Sequence, residues 1–186
     1  MQELNSIGKF ELKSVHWAAF FCSVRCPGGI ILKSYDLAQK WRTEGRAVIG
    51  GFHSPVEKEV LKIMLRSTAP VCVVLARGLP KRVPSEFRKH IDNGRMILAS
   101  PFDGRTKRAT TESALKRNLI IATLAEKIFV AYAASGSKTE TLCHAISRLK
   151  KTCFTFQHET NENLISLGFI AIDGNVMNNG SNSGTK

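Results

Sequence analysis

Ser135, Gly136, Ser137, Lys138, Thr139 and Glu140 follow the apolar run Ile128 to Val130 and precede a helical pattern. Small residues between a strand and a helix leave the first N–H groups of that helix pointing outward. The helix dipole places partial positive charge at the same spot, so the junction suits an anion such as phosphate. Lys138 adds a full positive charge. Acid–base chemistry would need a different set: Glu57 and Glu140, each in the first turn of a helical pattern, with His53 as a proton shuttle. Both carboxylates stand three residues after a serine, Ser54 and Ser137, which is the spacing of a capping box. Each then has a local structural partner, and this favours a non-catalytic binder over an enzyme. Cys22 and Cys26 with His53 and His144 have the side chains of a zinc site, but no second close Cys or His pair has ligand spacing, so no metal is expected.

The elements that position these residues alternate regularly. His16 to Cys22 reads as a short strand buried on both faces, and Ile30 to Glu44 as a helix stopped by Gly45. Ala47 to Ile49 is the next strand, with Gly50 and Gly51 as its turn. Ser54, Pro55 and Glu57 open a helix that runs to Ser67. Further strands are expected at Val71 to Ala76, Met96 to Ala99, Ile128 to Ala131 and Thr152 to Thr155. Helices are expected at Pro84 to Asn93, Thr111 to Ala125 and Lys138 to Leu149. Strands alternating with helices across short connections predict an α/β, Rossmann-like three-layer sandwich with a mostly parallel sheet of about six strands. The expected organisation is an N-terminal extension over 1–14, the Rossmann-like domain over 15–158, a closing segment over 159–173 and a polar disordered tail over 174–186.

The chain has 186 residues, with 27 Lys and Arg against 15 Asp and Glu, a formal charge of +12 that attracts polyanions. In a doubly wound sheet, ligands bind at the carboxyl ends of the strands. Arg25, Arg77, Lys81, Arg82, Arg105, Lys107, Arg108 and Lys138 all fall in loops expected on that edge. Phe52, Phe102 and Tyr132 lie at strand ends on the same side and are secondary candidates for base stacking. By contrast Arg42, Arg66, Arg148, Lys150 and Lys151 belong to helix C-termini, where cations complement the dipole without any ligand. No apolar run has the length of a membrane span, and Glu3 and Glu11 stand where a signal peptide would be apolar. A cytoplasmic location with no membrane partner is the expectation, and the odd set of five cysteines reads as reduced thiols.

In order and spacing, the motifs resemble the Rossmann-like domain of the DNA-processing protein A (DprA/Smf) family, recombination mediators of natural transformation that bind single-stranded DNA. S-V-R at Ser23 to Arg25 stands where the family has G-S-R, and V-I-G-G at Val48 to Gly51 where it has V-S-G. I-L-A-S-P-F at Ile97 to Phe102 corresponds to a strand ending in S-E-x-P. K-R-N-L-I-I-A-T-L-A at Lys116 to Ala125, then a strand and A-S-G-S-K-T-E-T, corresponds to R-N-R-I-I-A-G-L, strand and S-G-S-x-x-T-A. The resemblance implies a DNA-binding pocket at Arg25, Gly50, Gly51, Arg117, Asn118, Ser135, Gly136 and Ser137, together with a homodimer and a recombinase partner. The chain departs from the family at F-H-S-P-V-E-K-E after the second strand and at Lys138, where the family has an apolar residue.

The alternative is a nucleotide-binding sensor or an enzyme similar to the nucleoside-monophosphate phosphoribohydrolases, whose P-G-G-x-G-T-x-x-E signature is absent here. S-G-S-K-T lacks the earlier glycine of a Walker loop, and G-x-G-x-x-G does not follow the first strand, so no nucleotide cofactor is expected.

Overall fold

A computed structural model describes residues 4–173; Met1 to Glu3 and the tail expected at 174–186 lie outside the described residues. The strands are β1 (Asn5–Ile7), β2 (Ala18–Cys22), β3 (Val48–Gly50), β4 (Val71–Val74), β5 (Met96–Ser100), β6 (Lys127–Tyr132), β7 (Thr152–Phe156) and β8 (Ile170–Ile172). The helices are α1 (Gly28–Thr43), α2 (Pro55–Met64), α3 (Ser85–Asp92), α4 (Thr111–Leu124), α5 (Lys138–Ile146) and α6 (Glu162–Ser166). One eight-stranded sheet has the order β1-β5-β4-β3-β2-β6-β7-β8, parallel except for β1, which runs antiparallel to β5. The α/β class and the mostly parallel sheet agree with expectation. The strand count exceeds it by the two edge strands, β1 within 1–14 and β8 within the closing segment.

Period-two alternation explains the three layers. Ala18, Phe20 and Cys22 of β2 face the core beneath α1, α2 and α3, while Ala19 and Phe21 face the core beneath α4, α5 and α6. On the first side Phe20 stacks on Phe129 at 6.0 Å and Trp41 of α1 meets both rings edge-on, also at 6.0 Å. The remaining aromatic of the group, Phe156, lies 4.8 Å from Phe129. Strand order reverses at β2: the chain steps outward through β3, β4 and β5, returns through α4, and steps outward again through β6, β7 and β8. The crevice beyond the carboxyl ends of β2 and β6 is therefore the topological switch point, where sheets of this kind bind their ligands.

Several cations have structural tasks away from this edge. Lys151 bonds the carbonyls of Thr123 and Ala125 at the end of α4, Lys9 bonds that of Asp92 after α3, and Arg95 reaches that of Leu65 after α2 at 3.0 Å. They satisfy orphan carbonyls at helix C-termini, which assigns part of the basic excess to the scaffold.

Candidate nucleic-acid interface

The turn after β6 is built from its backbone upward. The Ser137 N–H donates to the Ala134 carbonyl at 3.0 Å, closing a tight turn whose third residue, Gly136, has φ +71°, a value that a side chain disfavours. Ser137 then caps α5, its Oγ accepting from the Glu140 N–H at 3.1 Å. The carboxylate of Glu140 does not close the expected box on Ser137. Its Oε2 accepts from the Gly136 N–H at 2.7 Å, because the Ser137 N–H is already held by Ala134, and its Oε1 accepts from Asn163. The Asn163 bond first, then the Gly136 bond, hold the Glu140 carboxyl below its usual pKa. The first-turn N–H groups of Lys138 and Thr139 find no acceptor among the described residues.

Across the switch point, Ser23 joins this turn to the end of β2. Its Oγ accepts from the Ala134 N–H at 3.2 Å and lies 3.4 Å from the Ser137 Oγ. On the other flank α2 starts with the full capping box predicted by Ser54 and Glu57. The same Glu57 reaches further than a cap: Oε1 accepts from the Cys22 N–H at 3.0 Å, and Oε2 from the N–H groups of His53 at 2.7 Å and Ser54 at 3.1 Å. Both oxygens of Glu57, like both of Glu140, are committed to holding backbone and amide donors, so neither is disposed to act as a general base.

Arg117 lies beneath this framework. Although it sits on a helix among polar neighbours, it is 6% exposed. Its Nη1 donates to the Val74 carbonyl at 2.9 Å and its Nε to the Asn118 Oδ1 at 2.6 Å. Burial lowers its pKa from the ordinary guanidinium value, and the Glu57 carboxylate acts in the opposite direction. Gly51 permits the arrangement, since a Cβ there would lie 2.3 Å from the Arg117 Cζ.

A cleft of about 710 Å³ opens over these groups, and Gly51, Arg77, Lys107, Arg108, Arg117 and Lys138 are among the residues that line it. Loops after β3, β4 and β5 thus converge with the starts of α4 and α5, where Lys138 Nζ donates to Thr111 Oγ1 at 2.8 Å. No carboxylate belongs to the lining, so the cleft carries net positive charge at the edge of the sheet where folds of this kind bind ligands.

The other sequence candidates are placed around it. Gly50 ends β3 beneath the Phe52 ring, and Asn118 fixes Arg117 and faces a neighbouring hollow. Ser135 and Gly136 are exposed on the turn, and Ser137 is its cap. Arg25 projects from the exposed loop after β2, and Lys81 and Arg82 from the loop before α3; none of these three lines the cleft. Arg105 is bound to Asp103, Nη2 to Oδ2 at 2.7 Å, so its charge is locally matched. The stacking candidates change most: Phe52 is 5% exposed, Tyr132 packs against the core, and the ring of Phe102 lies under Lys116 at 5.6 Å. The left-handed backbone of Phe52, φ +47°, turns its ring back over Gly50 and away from the crevice.

A doubly wound, mostly parallel sheet with helices on both faces and a basic, carboxylate-free cleft at its switch point defines the class as a Rossmann-like α/β domain. Within that class the chain belongs to the DNA recombination-mediator protein A family, whose profile matches residues 23–168. The fold is similar to DNA processing protein A (DprA) of Streptococcus pneumoniae, with TM-score 0.74 and 18% identity, covering 92% of this chain and 63% of that one. It is also similar to DNA processing protein A of Helicobacter pylori, a structure described for its single-stranded DNA binding mode, with TM-score 0.72 and 16% identity over 89% of this chain and 79% of that one. A molybdenum cofactor binding protein of Rippkaea orientalis shares the fold at TM-score 0.60 and 12% identity, over 86% of this chain and 91% of that one. No curated protein matches the sequence significantly. No helix among the described residues is long and apolar enough to cross a membrane.

Proposed function

We propose that the chain binds single-stranded DNA non-catalytically, as part of DNA processing or recombination, with the sugar–phosphate backbone in the cleft at the switch point. The convergence of Arg77, Lys107, Arg108, Arg117 and Lys138 on one carboxylate-free cleft carries this reading, and membership of a DNA recombination-mediator family supports it. Arg25, Lys81 and Arg82, exposed on flanking loops of the same edge, extend the track, while Ser135, Gly136 and Ser137 present the turn to a phosphate. The homodimer, the recombinase partner and the cytoplasmic location belong to the same proposal; all five cysteines are free, as a reducing compartment requires. Phosphate contacts release counterions, so affinity for a labelled oligonucleotide is expected to fall on a log–log plot with a slope of about −0.7 per contact, or roughly −3 for four to five contacts. Fluorescence anisotropy across a salt series measures this slope. Absence of binding at low salt rejects the proposal.

One observation favours a second reading, a small phosphate ligand in place of a strand: a cleft of about 710 Å³ is within the range of small-molecule sites. A mononucleotide or dinucleotide present at 100 times its Kd would stabilise the fold by about 2.7 kcal/mol. A rise in melting temperature with such a ligand, without affinity for oligonucleotides, would select that reading.

A further inference from the structure

The thiols of Cys22 and Cys26 take no part in the site described above, and the loop C-S-V-R-C brings them together. Cys22 ends β2 in the core beneath α1, and Cys26 packs against the same core just before α1 begins. The two thiols share a hydrogen bond. Their exposures differ: Cys22 is 4% exposed, whereas Cys26 is half-buried beside the exposed Arg25. No third metal-ligating side chain joins them among the described residues, so a metal would have too few ligands here.

The contact makes the two thiols unequal. The hydrogen bond from Cys22 lowers the pKa of Cys26 against the opposing effect of burial, and the positive end of α1 starts just beyond, at Gly28. Cys26 is thus the thiol that ionises. Cys22 is held protonated, first by its bond to Cys26, then by burial and the charges of Cys26 and Glu57. The other three cysteines are unsuited to attack: Cys72, Cys143 and Cys153 are 0%, 0% and 6% exposed, and burial raises the pKa of each. A half-exposed thiolate backed by a protonated thiol suits stepwise oxidation, with the first sulfur attacking the oxidant and the second resolving the product.

We infer that Cys26 and Cys22 form a reversible disulfide, with a hydroperoxide as the oxidant. The Cys26 thiolate attacks the terminal oxygen of the hydroperoxide. An S–O bond forms, the O–O bond breaks, and the alkoxide leaves and takes up the proton that Cys26 released. Cys26 is then a sulfenic acid. The Cys22 thiol attacks its sulfur: the S–S bond forms, the S–O bond breaks, and hydroxide leaves as water with the Cys22 proton. The two thiols together lose two electrons, and the hydroperoxide is reduced to an alcohol and water. A dithiol reverses the bond by exchange, as suits a transient disulfide in a reducing compartment. The ring so closed spans Ser23, Val24 and Arg25. Ser23 Oγ holds the Ala134 N–H at 3.2 Å and Val24 lines the basic cleft, so oxidation constrains one rim of that cleft.

Trypsin cuts after Lys13, Arg25 and Lys33, which places the two cysteines on separate peptides, residues 14–25 and 26–33. In the test, the full chain is reduced, exposed to tert-butyl hydroperoxide, alkylated and digested without reductant. The two peptides are expected to be joined by a bond that dithiothreitol breaks. Cys22→Ser should stop at the sulfenic acid and give a dimedone adduct on peptide 26–33, while Cys26→Ser should leave Cys22 unoxidised; melting temperatures confirm the fold of each. In the unaltered protein, iodoacetamide should alkylate Cys26 at least about tenfold faster than any other cysteine. Unlinked peptides from the treated protein, a bond between Cys143 and Cys153 in their place, or alkylation of Cys26 no faster than the rest would each overturn the pair. These outcomes do not depend on what occupies the cleft.

Discussion

Replacing Glu57 by alanine is expected to lower the free energy of unfolding by about 3–5 kcal/mol, a large fraction of what holds a domain of this size together. Three backbone N–H groups, those of Cys22, His53 and Ser54, lose their acceptor together. His53 is exposed and can turn to water, but Cys22 and Ser54 are 4% and 3% exposed and cannot. Each buried donor left unpaired costs about 1–3 kcal/mol. Arg117 also loses the carboxylate that favours its charged form, at a position where burial already disfavours it. Glu57→Gln retains an acceptor and should cost less. Glu140→Ala, which removes an acceptor on an open turn, is expected to cost about 1 kcal/mol or less. Urea titration of the three variants gives the order directly. A loss below about 1 kcal/mol for Glu57→Ala would show that this carboxylate is not the clamp across the ends of β2 and β3.

Removing Lys107, Arg108 and Lys138 together as alanines is expected to weaken single-stranded DNA binding about 100-fold at low salt and to flatten the salt dependence by about 2 units of slope. All three are exposed, so stability should hardly change. The control is Arg105→Ala in the same loop as Lys107 and Arg108. Asp103 already neutralises that arginine, and the same bond holds the Asp103 carboxyl below its usual pKa, so its removal should alter neither affinity nor slope appreciably. An unchanged slope in the triple variant would mean that the cleft lysines and arginine do not meet phosphate, whatever the affinity.

How far the residues alone announce this arrangement depends on the range of the interactions involved. Ser54, Pro55 and Glu57 mark the start of α2 because a capping box is made within three residues. Phe20 and Phe21 mark a strand covered on both faces because the pleat is local. The Asp103–Arg105 pair is equally short-range, and D-G-R could have been read as a self-neutralised turn. Edge strand β1 is hidden because Asn5 and Ser6 are exposed and carry no apolar alternation. Arg117 is hidden for a different reason: K-R-N on a helix has the pattern of a wet surface. Its burial follows only from the approach of Gly51 and the Val74 carbonyl, which lie 66 and 43 positions earlier in the chain. The family resemblance pointed to Arg117 and Asn118 where periodicity did not.

The fixed guanidinium of Arg117 changes the entropy of occupying the cleft. Lys107 and Arg108, exposed on a loop, must each surrender rotamer freedom to hold an anion, at about 0.5–1.5 kcal/mol per side chain. Arg117 has surrendered its own during folding, to the Val74 carbonyl and the Asn118 amide. One positive charge at the floor of the cleft is therefore preorganised, and any anion that reaches it meets a partner with nothing left to immobilise.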